Sequence, residues 1–331
     1  VYKRQDSEGL LRLEGVAPGW HVVTVDPGGT PPKHLGVRVS TDSTAEVDLR
    51  PGVGTDLARR SADVAPIRWL EAPDENTGAR CIYPNLPRPD GGAAAGEWQA
   101  SGTRSRTPPA NPQIGDTWDW YIWDLGGFPV ATLKPCTVRG MGANSYVVVD
   151  DDQWNVSIFQ ADVDRIVTHF ENQSVGNFPG QGIWELNTSH FGDPPNPLDG
   201  LDRVFLLYYE FGIAADGYFW VYDQFADGTQ PFASNEADVV YLATEGGGGD
   251  PGGNYMLAVA AHEFEHMIHY ARDANEAAWV DEGLGELAMW LFGNPDNISG
   301  FNTNPDNSLT DWGSAWADYI QTYLWSLYAY E

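Results

Sequence analysis

His262 and His266 stand four positions apart in the segment His262-Glu263-Phe264-Glu265-His266. On a helix that interval is about one turn, so both imidazoles leave the same face. Two nitrogens placed in this way can share one Zn2+ at about 2.0–2.1 Å. Glu263 then sits one step round the helix, beside the metal rather than on it. A general base in that position can take a proton from a water molecule. The flanking Met256, Leu257, Val259, Ala260, Ala261, Met267 and Ile268 predict that this helix is buried. A catalytic zinc also needs a third protein ligand and one open position.

A His-x-x-Gly-x-x-His continuation would put glycine at 269 and histidine at 272, but those positions hold His269 and Arg272. Glu282, in Trp279-Val280-Asp281-Glu282-Gly283, follows His266 by 16 positions and opens a second helical stretch. From there it can face back to the metal, because the loop Asp273-Ala274-Asn275-Glu276 is long enough to reverse the chain. Glu286 lies four residues beyond Glu282 and shares its face. That spacing suits a carboxylate accepting the remaining N–H of a ligand histidine. His269 reads as a packed or hydrogen-bonded side chain a turn away from the metal.

The string AHEFEHMIHY…AWVDEGLGELA resembles the glutamate-type zinc peptidases, which pair His-Glu-x-x-His with a later glutamate. Among them it is most similar to the hyicolysin-like bacterial metallopeptidases, with a looser similarity to the immune inhibitor A group in the upstream sheet. The resemblance spans residues 113–331 and centres on 261–288. It implies an α+β zincin-like domain: a twisted mixed sheet, an active-site helix and a helical C-terminal lobe. It also implies hydrolysis of peptide bonds in protein or peptide substrates. Carried over to this chain, it implies His262, His266 and Glu282 as zinc ligands, with Asp281, Asp273 and Glu286 as alternatives to Glu282. Glu263 is then the general base. Related enzymes stabilise the oxyanion with a Tyr or His from the C-terminal lobe. Tyr319, in Trp316-Ala317-Asp318-Tyr319-Ile320, is the candidate here and Tyr323 its rival; both also read as core aromatics.

The elements that must position these residues are legible in outline. Residues 1–50 read as short strands separated by turns such as Val16-Ala17-Pro18-Gly19, the pattern of a small all-β sandwich. That stretch resembles the carboxypeptidase-regulatory-like β-modules of bacterial surface and secreted proteins, and we expect a spacer rather than chemistry. Residues 51–112 are rich in Pro, Gly, Ala, Arg and Ser and read as a linker, with Arg104-Ser105-Arg106 its most exposed-looking basic site. The remaining domain is 113–331. Strands are expected at 117–123, 131–134, 145–149, 201–208, 218–222 and 237–242. Helical periodicity covers 156–171, 255–273, 279–292 and the stretch from Trp312. A Gly-rich loop fills 245–254. Strands first and helices after suggest a sheet packed on one long helix. The run Ser234–Leu242 is the expected edge strand for an extended substrate, with a simple connector as the alternative.

The chain has 331 residues and a formal net charge of -29. Such a surface repels phosphate backbones and excludes nucleic acid as a natural partner. It also disfavours anionic membrane surfaces, and no run of 18 apolar residues provides a membrane span. Solubility is sufficient reason for the acidity; Ca2+ binding at Asp150-Asp151-Asp152, or at Asp193 with Asp199 and Asp202, is the functional alternative. Neither cluster matches an EF-hand loop. Two cysteines, Cys81 and Cys136, lack the close spacing of a zinc knuckle or redox motif. In an exported chain they are expected to form a disulfide; two free thiols are the alternative. Low lysine content, 14 Trp and abundant Gly and Pro lead us to expect a secreted or cell-surface location. The chain opens at Val1 and closes at Glu331 inside an apolar, helix-like run, so we expect a piece of a longer protein. A zincin-like binding or adhesion protein that no longer cleaves is the competing reading.

Overall fold

The computed structural model describes the backbone of residues 10–13, 19–25, 33–39 and 45–48, then Cys81 and Leu86. From residue 109 it describes the chain to 331, apart from 126–130, 177, 196–197 and 231. In the N-terminal stretch β1 (Leu10–Leu13) pairs antiparallel with β4 (Ala45–Asp48), and β2 (Gly19–Val25) with β3 (Lys33–Val39). The turn at 16–18, the packing of these ladders into a sandwich, and the linker with its Arg104-Ser105-Arg106 site lie outside the described residues.

The rest is a mixed α+β arrangement around a six-stranded sheet in the order β5-β6-β7-β8-β10-β9. The strands β5 (Thr117–Trp123), β6 (Ala131–Met141) and β7 (Ser145–Asp150) form an antiparallel meander. β7 then runs parallel to β8 (Val204–Tyr209), and β8 parallel to β10 (Val239–Ala243). The crossover between β7 and β8 carries α1 (Gln160–Glu171) and α2 (Ile183–Phe191). Each central strand is buried along its whole length, as expected of strands covered on both faces. Full burial of a Leu or Val side chain is worth about 1.5–3 kcal/mol, so Val147–Val149, Leu206, Leu207, Val239 and Val240 anchor the core.

The short β9 (Gly217–Phe219) is antiparallel to β10 and forms the last strand of the sheet. This corrects the expected edge: the run ending at Leu242 belongs to an interior strand, flanked by β8 and β9. Its continuous apolar Val239-Val240-Tyr241-Leu242 marks a strand that solvent does not reach. β9 is also shorter than the 218–222 stretch suggested, because the chain turns into a 3-10 helix at Val221–Gln224. The sheet curls, so that Tyr209 on β8 donates to the Trp123 carbonyl of β5, and the Trp123 and Trp220 rings meet at 4.7 Å.

Helix α4 (Asn254–Arg272) packs on β9 and β10, and α5 (Ala278–Phe292) packs on α4. Ala258, Ala260, Ala261, Met256 and Leu257 are strong helix formers that are also small or unbranched enough to pack closely. The expected Gly-rich loop before α4 contains a short helical turn, α3 (Gly246–Gly249), with Gly247 to Gly249 at positive φ. α2 is pinned to α4 by Asn187, whose Nδ2 donates to the Ala261 carbonyl at 2.7 Å. Phe264 of α4 lies between Phe170 of α1 and Trp184 of α2, with ring centroids 5.5 Å from each. Helix α5 ends on Gly293 in the left-handed conformation, the usual stop for a helix. After the short α6 (Ser299–Thr303), α7 (Trp316–Tyr330) covers α5 and closes the described chain. Helix α1 begins at Gln160 rather than Val156, because the Phe159 N–H is taken by the Asp162 carboxylate and Val156 projects into solvent.

Candidate metal centre

The middle of α4 is buried on every side: His262, Glu263, Phe264, Glu265 and His266 are all 3% exposed or less. One turn separates the two histidines, and their ring centroids lie 4.7 Å apart. Helix α5 delivers Glu282 to both. Its Oε2 is 3.3 Å from His262 Nε2, and its Oε1 is 3.3 Å from His266 Nε2. A third element contributes Cys81, whose Sγ is 3.3 Å from His266 Nε2 and 3.4 Å from Glu263 Oε2. The potential ligand atoms of Cys81, His262, His266 and Glu282 lie within 4.8 Å of one another, and all four residues are buried.

This cluster could hold a metal ion, and its geometry fits zinc. Nitrogen or oxygen donors about 2.0–2.1 Å from a tetrahedral centre stand about 3.3–3.4 Å apart. The Glu282–histidine separations have that length, each from a different oxygen of the carboxylate. Ion-pair contacts at 3.3 Å link these atoms, but His262 Nε2 and both Glu282 oxygens are buried without a well-aligned hydrogen bond. Such atoms are costly to bury unless something compensates them. Charge points the same way. Glu263, Glu265, Asp281, Glu282 and Glu286 are each 1% exposed or less, around His262 and His266, with His269 beside Glu265. A divalent cation would offset that excess of carboxylate.

The pKa shifts express this crowding. Burial pushes Glu263 up to about 8, with His266 opposing and Glu282 adding to the rise. Burial likewise raises Glu265 well above the carboxylate range. Burial acts to lower His266, but Glu282 and Asp281 outweigh it and hold its pKa well above the ordinary value. Glu282 is lowered in turn: burial raises it, and the imidazoles of His266 and His262 more than reverse this.

The surrounding carboxylates orient the rings. His266 Nδ1 lies 3.2 Å from Asp281 Oδ1, and His262 Nδ1 lies 3.8 Å from Glu286 Oε1. Asp281, expected only as an alternative ligand, therefore sits on the far side of His266 from the cluster. Asp273 is exposed at the end of α4, where it accepts from the Asn275 N–H. His269 lies outside the cluster, 3.7 Å from Glu265 Oε1.

Two glycines make the approach possible. A Cβ on Gly285 would come within 2.8 Å of the His262 ring. A Cβ on Gly217 would stand 2.7 Å from Glu263 Cγ. Glycine inside a helix costs about 1 kcal/mol relative to alanine, so close contact with the histidine accounts for its place in α5.

Tyr319 of α7 is buried, and its hydroxyl donates to the Cys81 carbonyl at 2.9 Å. Burial, followed by the nearby Glu282, raises its pKa well above that of an ordinary phenol. Tyr323 is buried too, and burial with Glu286 pushes its pKa up to about 12. Cys81 forms a parallel bridge to Gly217 on β9. Sequence reasoning missed its position, because a lone cysteine in a Pro/Gly-rich stretch gives no sign of its partner.

The expected disulfide is absent. Neither Cys81 nor Cys136 is in a disulfide, and both are buried. Cys136 lies in β6 between Trp118 and Asp150 of the adjacent strands, while the Cys81 thiol faces the histidines. The Asp150-Asp151-Asp152 triplet is occupied by cations of the chain itself. Lys134 pairs with Asp150 at 3.0 Å and Asp152 at 3.3 Å, and Arg139 pairs with Asp151 at 2.8 Å. Asp193 faces Arg272 at 3.9 Å, and Asp199 accepts from the Leu201 N–H. Among the described residues neither acidic cluster is one of the groups that could hold a metal ion. No helix of the described residues is long and apolar enough to cross a membrane. No protein-family model matches the chain, and no curated protein matches it either.

Proposed function

We propose that this chain is a zinc-dependent endopeptidase of the glutamate zincin type, acting on protein or peptide substrates outside the cell. The observation that carries this reading is the convergence of the buried ligand atoms of Cys81, His262, His266 and Glu282 within 4.8 Å of one another, with the Glu263 carboxylate beside them. His262, His266 and Glu282 would hold the ion, and Asp281 and Glu286 would fix the orientation of the two rings.

When bound, Zn2+ supplies a Lewis acid that makes a water molecule more acidic and polarises a peptide carbonyl. Glu263 takes the proton of the attacking water and returns it to the leaving amine. Burial makes this carboxylate more basic than an exposed one, and a bound divalent cation would favour the ionised form that accepts the proton. The Tyr319 hydroxyl, already donating to a peptide carbonyl at 2.9 Å, is the group that can steady the oxygen as it gains charge. β9 offers the strand edge along which an extended substrate would lie.

One observation favours a second reading. With Cys81, four protein side chains converge on the centre, and closed four-ligand sites are typical of structural zinc. In that reading the chain is a zincin-like binding or adhesion protein without activity. The test is to load the Cys81→Ala chain with zinc and follow casein cleavage with and without a chelator. Cleavage that stops on chelation and returns with zinc supports the peptidase; a zinc-loaded chain that cleaves nothing supports the binding protein.

A further inference from the structure

We propose that Cys81 is an inhibitory ligand: it fills the open position of the metal centre and holds the enzyme latent until it leaves. This rests on the peptidase reading above. The inference comes from how many parts of the site this one residue occupies. Its sulfur lies 3.3 Å from His266 Nε2 and so takes the fourth position, which a catalytic zinc keeps free for water or substrate. The same sulfur lies 3.4 Å from Glu263 Oε2 and so blocks the base. Its backbone carbonyl accepts the Tyr319 hydroxyl at 2.9 Å, the donor assigned to the substrate oxygen. Its backbone bridges Gly217 on the last strand of the sheet, the edge available to an added peptide. It is 1% exposed, so it lies inside the site rather than at its rim.

A purely structural fourth ligand needs only its sulfur at the metal. Contacts of the same residue with the base, the oxyanion donor and the strand edge are what a bound peptide would make. The bridge to Gly217 is parallel, so Cys81 enters in a fixed direction along β9. The site does not depend on the thiol, because His262, His266 and Glu282 already supply the three protein ligands that a catalytic zinc requires. When Cys81 departs, its sulfur takes up a proton, the fourth position passes to solvent, and Glu263 and Tyr319 become available together.

The test compares wild type with Cys81→Ala and Cys81→Ser in the full chain, loaded with Zn2+ or Co2+. Cobalt bound to a thiolate gives a near-ultraviolet charge-transfer band that does not require turnover. We expect that band in wild type and its loss in both variants. We also expect the wild-type thiol to react with a disulfide reagent at least about 10-fold faster after chelation, since a coordinated thiolate is shielded. Both variants should keep one metal per chain and cleave casein at least about 10-fold faster than wild type, as release of an intramolecular competitor predicts. Equal, chelator-sensitive cleavage by wild type and variants overturns the latch and leaves the peptidase standing. Loss of metal from both variants overturns it too, by making Cys81 a resident ligand. Variants that hold metal yet cleave nothing overturn the peptidase reading and the latch built on it.

Discussion

At the scale of single residues, the centre is a problem in compensating buried charge. Five buried carboxylates surround His262 and His266. Helical spacing put His262 with His266 and Glu282 with Glu286 on shared faces, and the resemblance to glutamate-type zinc peptidases implied that those faces meet beside Glu263. The sequence did not make Asp281 legible as the partner of His266, since that role depends on the rotation of α5 about its own axis. Nor did it reveal Gly285, whose missing side chain admits the His262 ring. Gly285→Ala is therefore expected to displace His262 and weaken zinc binding by about 10-fold or more, the scale on which ring-orienting changes act. Competition with a chromophoric chelator measures this; unchanged affinity would mean that the ring can move aside without cost.

At the scale of elements, the site depends on α4 being held rigid from both faces. β9 and β10 lie on one side, and α1, α2 and α5 pack around the rest. Phe264 is the point where α1 and α2 grip α4, through rings on either side of it. Phe264→Ala is expected to cost about 3–5 kcal/mol in unfolding free energy, because it leaves a cavity that three helices cannot easily close. Denaturant unfolding of the zinc-loaded chain checks this. The periodic helices α4 and α5 were readable in the sequence to within a residue or two at their ends. The edge of the sheet was not, because which strand lies outermost depends on pairing between residues far apart. The hydrophobic run Val239–Leu242 gave its burial, but β9 is only three residues long and carries no alternation to read.

At the scale of the whole molecule, a net charge of -29 on 331 residues opposes compaction through self-repulsion. Part of it is neutralised locally, as where Lys134 and Arg139 meet Asp150, Asp151 and Asp152. The remainder is open to screening, and the Debye length shortens from about 30 Å at 0.01 M salt to about 3 Å at 1 M. The melting temperature is therefore expected to rise by several degrees over that range of NaCl, with the zinc content held constant. A melting temperature that falls with salt would show that attractive pairs outweigh the self-repulsion. The cysteines belong to this scale as well. Export of the chain suggested a disulfide, and the fold instead sends one thiol into β6 and the other to the candidate metal centre.

The most direct test of the account is the effect of Glu263→Gln in a chain already freed by Cys81→Ala. The substitution keeps the size of the side chain and removes its ability to accept a proton. Bound zinc is expected to stay at one ion per chain, while casein cleavage falls at least about 100-fold, the loss expected when a general base is removed. Cleavage that continues at the parent rate with the same zinc bound would contradict the account.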